Sequence, residues 1–196
     1  MKRLIIITVL CISIITPLLA ARERSLFLGL KVPIKFEANF TKEAGTWLGY
    51  NFGGGLFFDL KLSNKFSLGT FGSFSLDTIY LPEELYNPDT FMKFMNIRYG
   101  FDIKQWFLNN AFAGFGITVA YTFAGNFGDE TRIYSFADDT LGSDIYFALI
   151  GGYAFFVAEN IYIPVALELN CDLTIKDAFL FEAGISAAFA YKINFK

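Results

Sequence analysis

The sequence predicts an all-β fold: an eight-stranded antiparallel up-and-down β-barrel that crosses a membrane, following a cleaved signal peptide. Three observations carry this expectation. Residues 26–40 alternate without a slip: Leu26, Leu28, Leu30, Val32, Ile34, Phe36, Ala38 and Phe40 are apolar, and Lys31, Lys35, Glu37 and Asn39 lie between them. Period 2 means a strand with one apolar and one polar face, and a run of about 15 residues far exceeds the usual strand of about 5–6. Fourteen charges fall within the predicted strands and share one parity in every strand, opposite to the apolar positions; chance would produce that roughly one time in a hundred. Finally, the chain is 54% hydrophobic and 19% aromatic. Yet beyond residue 21 no apolar stretch approaches the ~20 residues of a spanning helix. In lipid the other way to satisfy the backbone is a closed barrel.

Residues 1–21 read as a secretory signal. Lys2 and Arg3 start it, 4–15 form its apolar stretch, Pro17 breaks it, and Ala20 and Ala21 offer small residues for cleavage. The alternative, a membrane-anchoring helix, is disfavoured because the apolar stretch is short. Removal of this segment takes the net charge from −3 to −5, an acidic balance that argues against nucleic acid as a partner. It also leaves Cys171 as the one cysteine of the remaining 22–196 domain, so no internal disulfide forms there.

The eight strands are expected near 26–40, 47–62, 66–80, 94–107, 111–125, 144–157, 161–173 and 179–195. Connections 63–65, 108–110 and 158–160 are short and each contains an asparagine, which tolerates tight-turn backbone. Connections 81–93 and 126–143 are long. Short turns on one side and long loops on the other is the pattern of membrane barrels, and an even strand count places both termini on the short-turn side. Pro33 and Pro164 lie inside strands and predict a bulge or a frayed pairing at each.

Alternation alone does not say which face points inward, and a soluble lipocalin-type barrel would bury the apolar one. Two features favour apolar-out. The polar parity is rich in small residues, among them Gly49, Gly53, Gly55, Ser73, Ser75, Gly114, Gly116 and Gly184, which suit a narrow interior. The apolar parity carries large rings such as Phe52, Phe74, Tyr99, Phe115, Tyr153 and Phe189, too many for a small lumen.

Phe189, Tyr191, Ile193 and Phe195 alternate almost to the end, with Lys196 after them. This ending resembles the carboxy-terminal signal read by the barrel assembly machinery. With the leader and the loop pattern, residues 22–196 resemble the small eight-stranded outer membrane proteins of the OmpA/OmpX/OmpW kind. That resemblance implies an integral protein of the outer membrane of a diderm bacterium, with outer membrane lipid and the assembly machinery as partners, loops outward and both termini periplasmic. It implies a non-enzymatic structural or surface-interaction role, or alternatively a narrow OmpW-like conduit for small solutes. The chain has no histidine, which excludes a Ser-His-Asp triad and imidazole acid–base chemistry; the outer membrane enzymes of similar architecture use a histidine. No His and one Cys make a zinc site improbable, and no cofactor motif is present.

Two groups of residues stand out as candidates. Lys35, Glu37, Arg98, Glu168 and Glu182 share the inward parity, and closure brings the first and last strands together, so a lumenal charge network is expected. It would serve either as a polar path or as an ion-paired filling of a plugged interior. In the long loops, Tyr86, Phe91, Arg132, Tyr134 and Phe136 could contact a host or surface ligand, or fold over the barrel mouth.

Overall fold

A computed structural model describes residues 24–41, 45–82, 90–107, 110–129, 132–136, 142–174 and 178–195. The leader 1–21 lies outside them. Nine strands occur among these residues: β1 Arg24–Thr41, β2 Gly45–Lys61, β3 Phe66–Tyr80, β4 Phe91–Phe107, β5 Ala111–Gly128, β6 Ile133–Ser135, β7 Ser143–Ala158, β8 Ile161–Asp172 and β9 Ala178–Phe195. All pairings are antiparallel; they join consecutive strands except that β5 pairs with both β6 and β7 and that β1 pairs with β9. β1 pairs with β9 along its whole length, from Arg24↔Phe195 to Thr41↔Ala178, and this closes an eight-stranded ring. β6 stands outside that ring, paired only with the upper end of β5.

The alternation sorts the two faces as expected. Along β1, Leu30, Val32, Ile34 and Phe36 are exposed on the outer surface, Phe36 by 74%, while Lys35 and Glu37 keep 5% and 4%. The fourteen charges all stand on inward positions. An apolar exterior this continuous is suited to hydrocarbon, since soluble proteins rarely expose patches beyond a few hundred Å².

Each prolyl ring opens the ladder on one side without shifting register. The β1–β2 pairing skips from Lys31↔Gly55 to Ile34↔Phe52, and the β8–β9 pairing from Tyr162↔Ala190 to Val165↔Ala187. Pro33 and Pro164 therefore fray and do not bulge. Register shifts occur elsewhere: Phe123 is the extra residue between Thr122↔Asn96 and Ala124↔Met95, and Val157 lies between the pairs Phe156↔Tyr162 and Ala158↔Ile161. Gly45 starts β2 at φ +74°, a backbone conformation that favours glycine. In the 63–65 turn the Ser63 hydroxyl accepts from the amides of Lys65 and Phe66, both at 3.2 Å.

Two expectations are corrected. β4 begins at Phe91, so Phe91 and Lys93 belong to a strand and not to the 81–93 loop. β5 runs to Gly128 and pairs there with β6, so 126–128 and 133–135 of the expected 126–143 connection are strand residues.

The lower lumen is more aromatic than its small polar residues suggested. Phe27, Phe57, Trp106, Phe112 and Tyr162 point inward and form one cluster with Ile150 and several alanines. Phe27 meets Tyr162 at 4.4 Å between ring centroids, and Trp106 meets Phe112 at 5.1 Å. Cross-strand glycines make the room: Gly29 lies opposite Phe57, Gly100 opposite Phe71 and Gly152 opposite Phe112, and a methyl group added at any of the three would run into that ring.

Candidate functional site: the packed lumen and the loop-end hairpin

β1, β3, β4, β8 and β9 each turn charged residues into the lumen above the aromatic cluster. Arg98 is its centre, 4% exposed. Its Nη1 donates to both Glu182 oxygens at 2.8 and 3.0 Å, its Nη2 to Asp77 at 2.6 Å, and its Nε to the Ser75 hydroxyl at 3.0 Å. Glu37 stands 3.8 Å from Nη2. Carboxylate oxygens of Glu37, Asp77 and Glu182 lie within 4.8 Å of one another, and Arg98 is ion-paired with all three. The guanidinium thus holds the place that a cation would need there. Its Cζ also lies over the Tyr146 ring, 5.4 Å from the centroid.

Lys35 continues the network. Its Nζ is 3.2 Å from Glu168 and 3.5 Å from Glu182, and Glu168 also pairs with Lys31. Three cations thus face four carboxylates in this upper network. Each carboxylate takes a neutral donor as well: Asn51 to Glu37 at 2.7 Å, Asn170 to Glu182 at 2.7 Å, Asn96 to Asp77, and Ser186 to Glu168. Extra hydrogen bonds of this kind are what a desolvated ion network needs to be tolerated.

All five sequence-predicted lumen residues, Lys35, Glu37, Arg98, Glu168 and Glu182, meet in this one network. Sequence reasoning left Lys31, Asp77 and the three asparagines out of the candidate set, although all share the charged parity of their strands. A second, smaller group lies lower, where Lys104 bridges Asp59 and Asp102 at 2.8 Å each. A cavity of about 50 Å³ adjoins it, between the carboxylates and the rings of Phe71, Trp106 and Phe112. Beside Lys35 and Arg98 the remaining void is about 10 Å³.

The loop candidates divide. Tyr86 lies outside the described residues. Phe91 opens β4, with the Lys93 ammonium 4.5 Å from its ring centroid. Arg132 closes the turn before β6: its amide donates to the Asp129 carboxylate at 2.9 Å, and its carbonyl accepts from the Asp129 amide at 3.0 Å. Tyr134, on β6, is 56% exposed beside Ile133 at 65%. Phe136 folds back onto Phe94, the rings stacked at 5.5 Å with an interplanar angle of 11°. It belongs to the barrel mouth, whereas Tyr134 belongs to the free surface.

No protein-family model and no curated protein matches the chain. Among solved structures it is similar to Neisserial surface protein A, at 12% identity over 85% of this chain and 97% of that one, with a TM-score of 0.54. It is also similar to the outer membrane protein OprG from Pseudomonas aeruginosa (12% identity, 88% and 96% covered, TM-score 0.47) and to Ail, the attachment invasion locus protein of Yersinia pestis (14%, 84% and 98%, 0.47). The likeness to the Neisserial protein, a small outer membrane β-barrel, is one of fold, and this chain has that fold.

Proposed function

We propose that this chain is a non-enzymatic integral barrel of a bacterial outer membrane, exported by its leader and inserted through its last strand, and that it acts at its loop-end surface and not through its lumen. The observation that carries the reading is the filled interior. Ion pairs and amide donors lock the upper lumen, and five inward rings crowd the lower one around a cavity of about 50 Å³; the void beside Lys35 and Arg98 is about 10 Å³, room for at most one water. The lumenal carboxylates are held by cations and amides and none has a histidine to work with, which supports a non-enzymatic role. The β5–β6 hairpin, with Ile133 and Tyr134 exposed, offers a contact surface for a host or surface ligand.

Single-channel recording on the refolded protein in planar bilayers tests this. A flat trace is expected. A stable unit conductance would overturn the reading and favour a narrow conduit.

In the proposed orientation β6 and the long loops face outward and the termini and short turns face the periplasm. Tyr134→Cys in a Cys171→Ser background should therefore react with an impermeant thiol reagent on intact cells, and Asn64→Cys should react only after lysis. The reverse pattern would invert the topology.

A further inference from the structure

Lys93 stands on the outward parity of β4, opposite in direction to the inward charges of the same strand, and it is exposed. A cation on a lipid-facing position is unfavourable unless a polar partner meets it. The register shows what surrounds it. Tyr50 lies opposite Thr78, Thr78 opposite Lys93, and Lys93 opposite Asn126, one outward row across four strands. The next row toward the barrel middle is Phe52, Leu76, Met95 and Ala124. A row of hydrogen-bond donors with one positive charge thus borders a row without any polar side chain, as at a headgroup–hydrocarbon boundary.

Between the two rows lies a recess of about 290 Å³. The Phe123 bulge helps to open it. It sets the small Ala124, and not a phenylalanine, opposite Met95, while the Phe123 ring pairs with Phe74 at 5.9 Å. Thr78, 6% exposed, lies deep among its larger neighbours. Asp77 reaches the recess from the lumen side, but its carboxylate is bound to Arg98, Asn96 and Ser75. The outward donors therefore face an anion without a competing free carboxylate. Asn126 uses its oxygen to accept from Ser135, which leaves its amide hydrogens for a ligand.

We propose that this recess seats one anionic lipid, its phosphate on Lys93 between Tyr50 and Asn126, and an acyl chain lying along Phe52, Leu76 and Met95. The proposal rests on the membrane reading above. Charge complementarity selects the headgroup, and the adjoining apolar row selects a lipid over a free phosphate.

The test is native mass spectrometry of the full barrel released from nanodiscs of phosphatidylcholine containing a minority of phosphatidylglycerol. One phosphatidylglycerol should be retained about fivefold in preference to phosphatidylcholine, the factor one basic side chain contributes at an anionic surface. Lys93→Gln should abolish the preference, Lys93→Arg should keep it, and Ala124→Trp should expel either lipid by filling the recess. Equal retention of the two lipids by the wild type, or a preference unchanged in both Lys93→Gln and Ala124→Trp, would overturn the site. So would a lipid-free dimer lost in Ala124→Trp, which would give the recess to a second copy. Insertion and heat-modifiable migration in pure phosphatidylcholine vesicles are read separately. If the wild type inserts there without selecting phosphatidylglycerol, the site alone fails; if it does not insert, the membrane reading fails and the site with it.

Discussion

Arg98→Met is expected to cost the barrel about 3–5 kcal/mol, the usual penalty for removing one partner of a buried ion network. The methionine fills a similar volume, so the loss is electrostatic and not a cavity effect. Without the guanidinium, the carboxylates of Glu37, Asp77 and Glu182 remain within 4.8 Å of one another, with Lys35 on Glu182 at 3.5 Å as the one ion pair this group keeps among the described residues. Reversible urea unfolding in lipid vesicles measures the change. Arg98→Lys should recover only part of it, since a point charge cannot reproduce a fork that binds Glu182 with one nitrogen and Asp77 with another. Adding Asp77→Asn and Glu182→Gln to Arg98→Met should recover more than Arg98→Lys does, because two of the three stranded charges are then gone and Glu37 keeps the amide of Asn51. A loss under about 1 kcal/mol would mean that water screens the network. The lumen would then be wetter than its packing implies, and the conductance experiment would become the one most at risk.

The part of this network that the sequence made legible is the part that parity controls. A period-2 pattern says which side of the sheet a residue takes, so the fourteen charges, the strand order and the closure of β1 on β9 all followed from counting. Parity says nothing about height or size. Phe27, Phe57, Trp106, Phe112 and Tyr162 share their side with the charges, and only the register reveals that Gly29 lies opposite Phe57 and Gly152 opposite Phe112. The asparagines were hidden for the same reason. Asn51, Asn96 and Asn170 are uncharged, and what marks them as part of the site is the carboxylate each one reaches across a strand. The Phe123 bulge was hidden more deeply. One extra residue reverses the parity of β5 above it, so Gly125 faces Phe94 and Phe136 in the mouth while Asn126 faces outward. Nothing in the local composition of 121–126 distinguishes that shift from a simple continuation of the strand.

Ile34 and Lys35 test the assignment of faces most directly, because they are neighbours in the chain with opposite surroundings. Ile34 is 58% exposed on the outer surface and Lys35 is 5% exposed in the lumen. Ile34→Arg puts a cation into hydrocarbon with no partner, and should cost about 2–4 kcal/mol if the residue sits near the midplane. Lys35→Ile should cost about 3 kcal/mol for a different reason: Glu168 and Glu182 each lose a buried counter-charge. The two penalties should separate by environment. In thin bilayers or short-chain micelles the arginine reaches the interface and the Ile34→Arg cost falls, whereas the Lys35→Ile cost stays constant because the lumen is sealed from the lipid. They should also separate by rescue. Glu168→Gln recovers part of the Lys35→Ile loss, limited by Lys31, which then faces a neutral amide, and does nothing for Ile34→Arg. The readout is unfolding free energy in vesicles of two acyl-chain lengths. An Ile34→Arg barrel as stable as the wild type in the thicker bilayer would put that face in water, and the long alternation of β1 would then have to line a different kind of barrel.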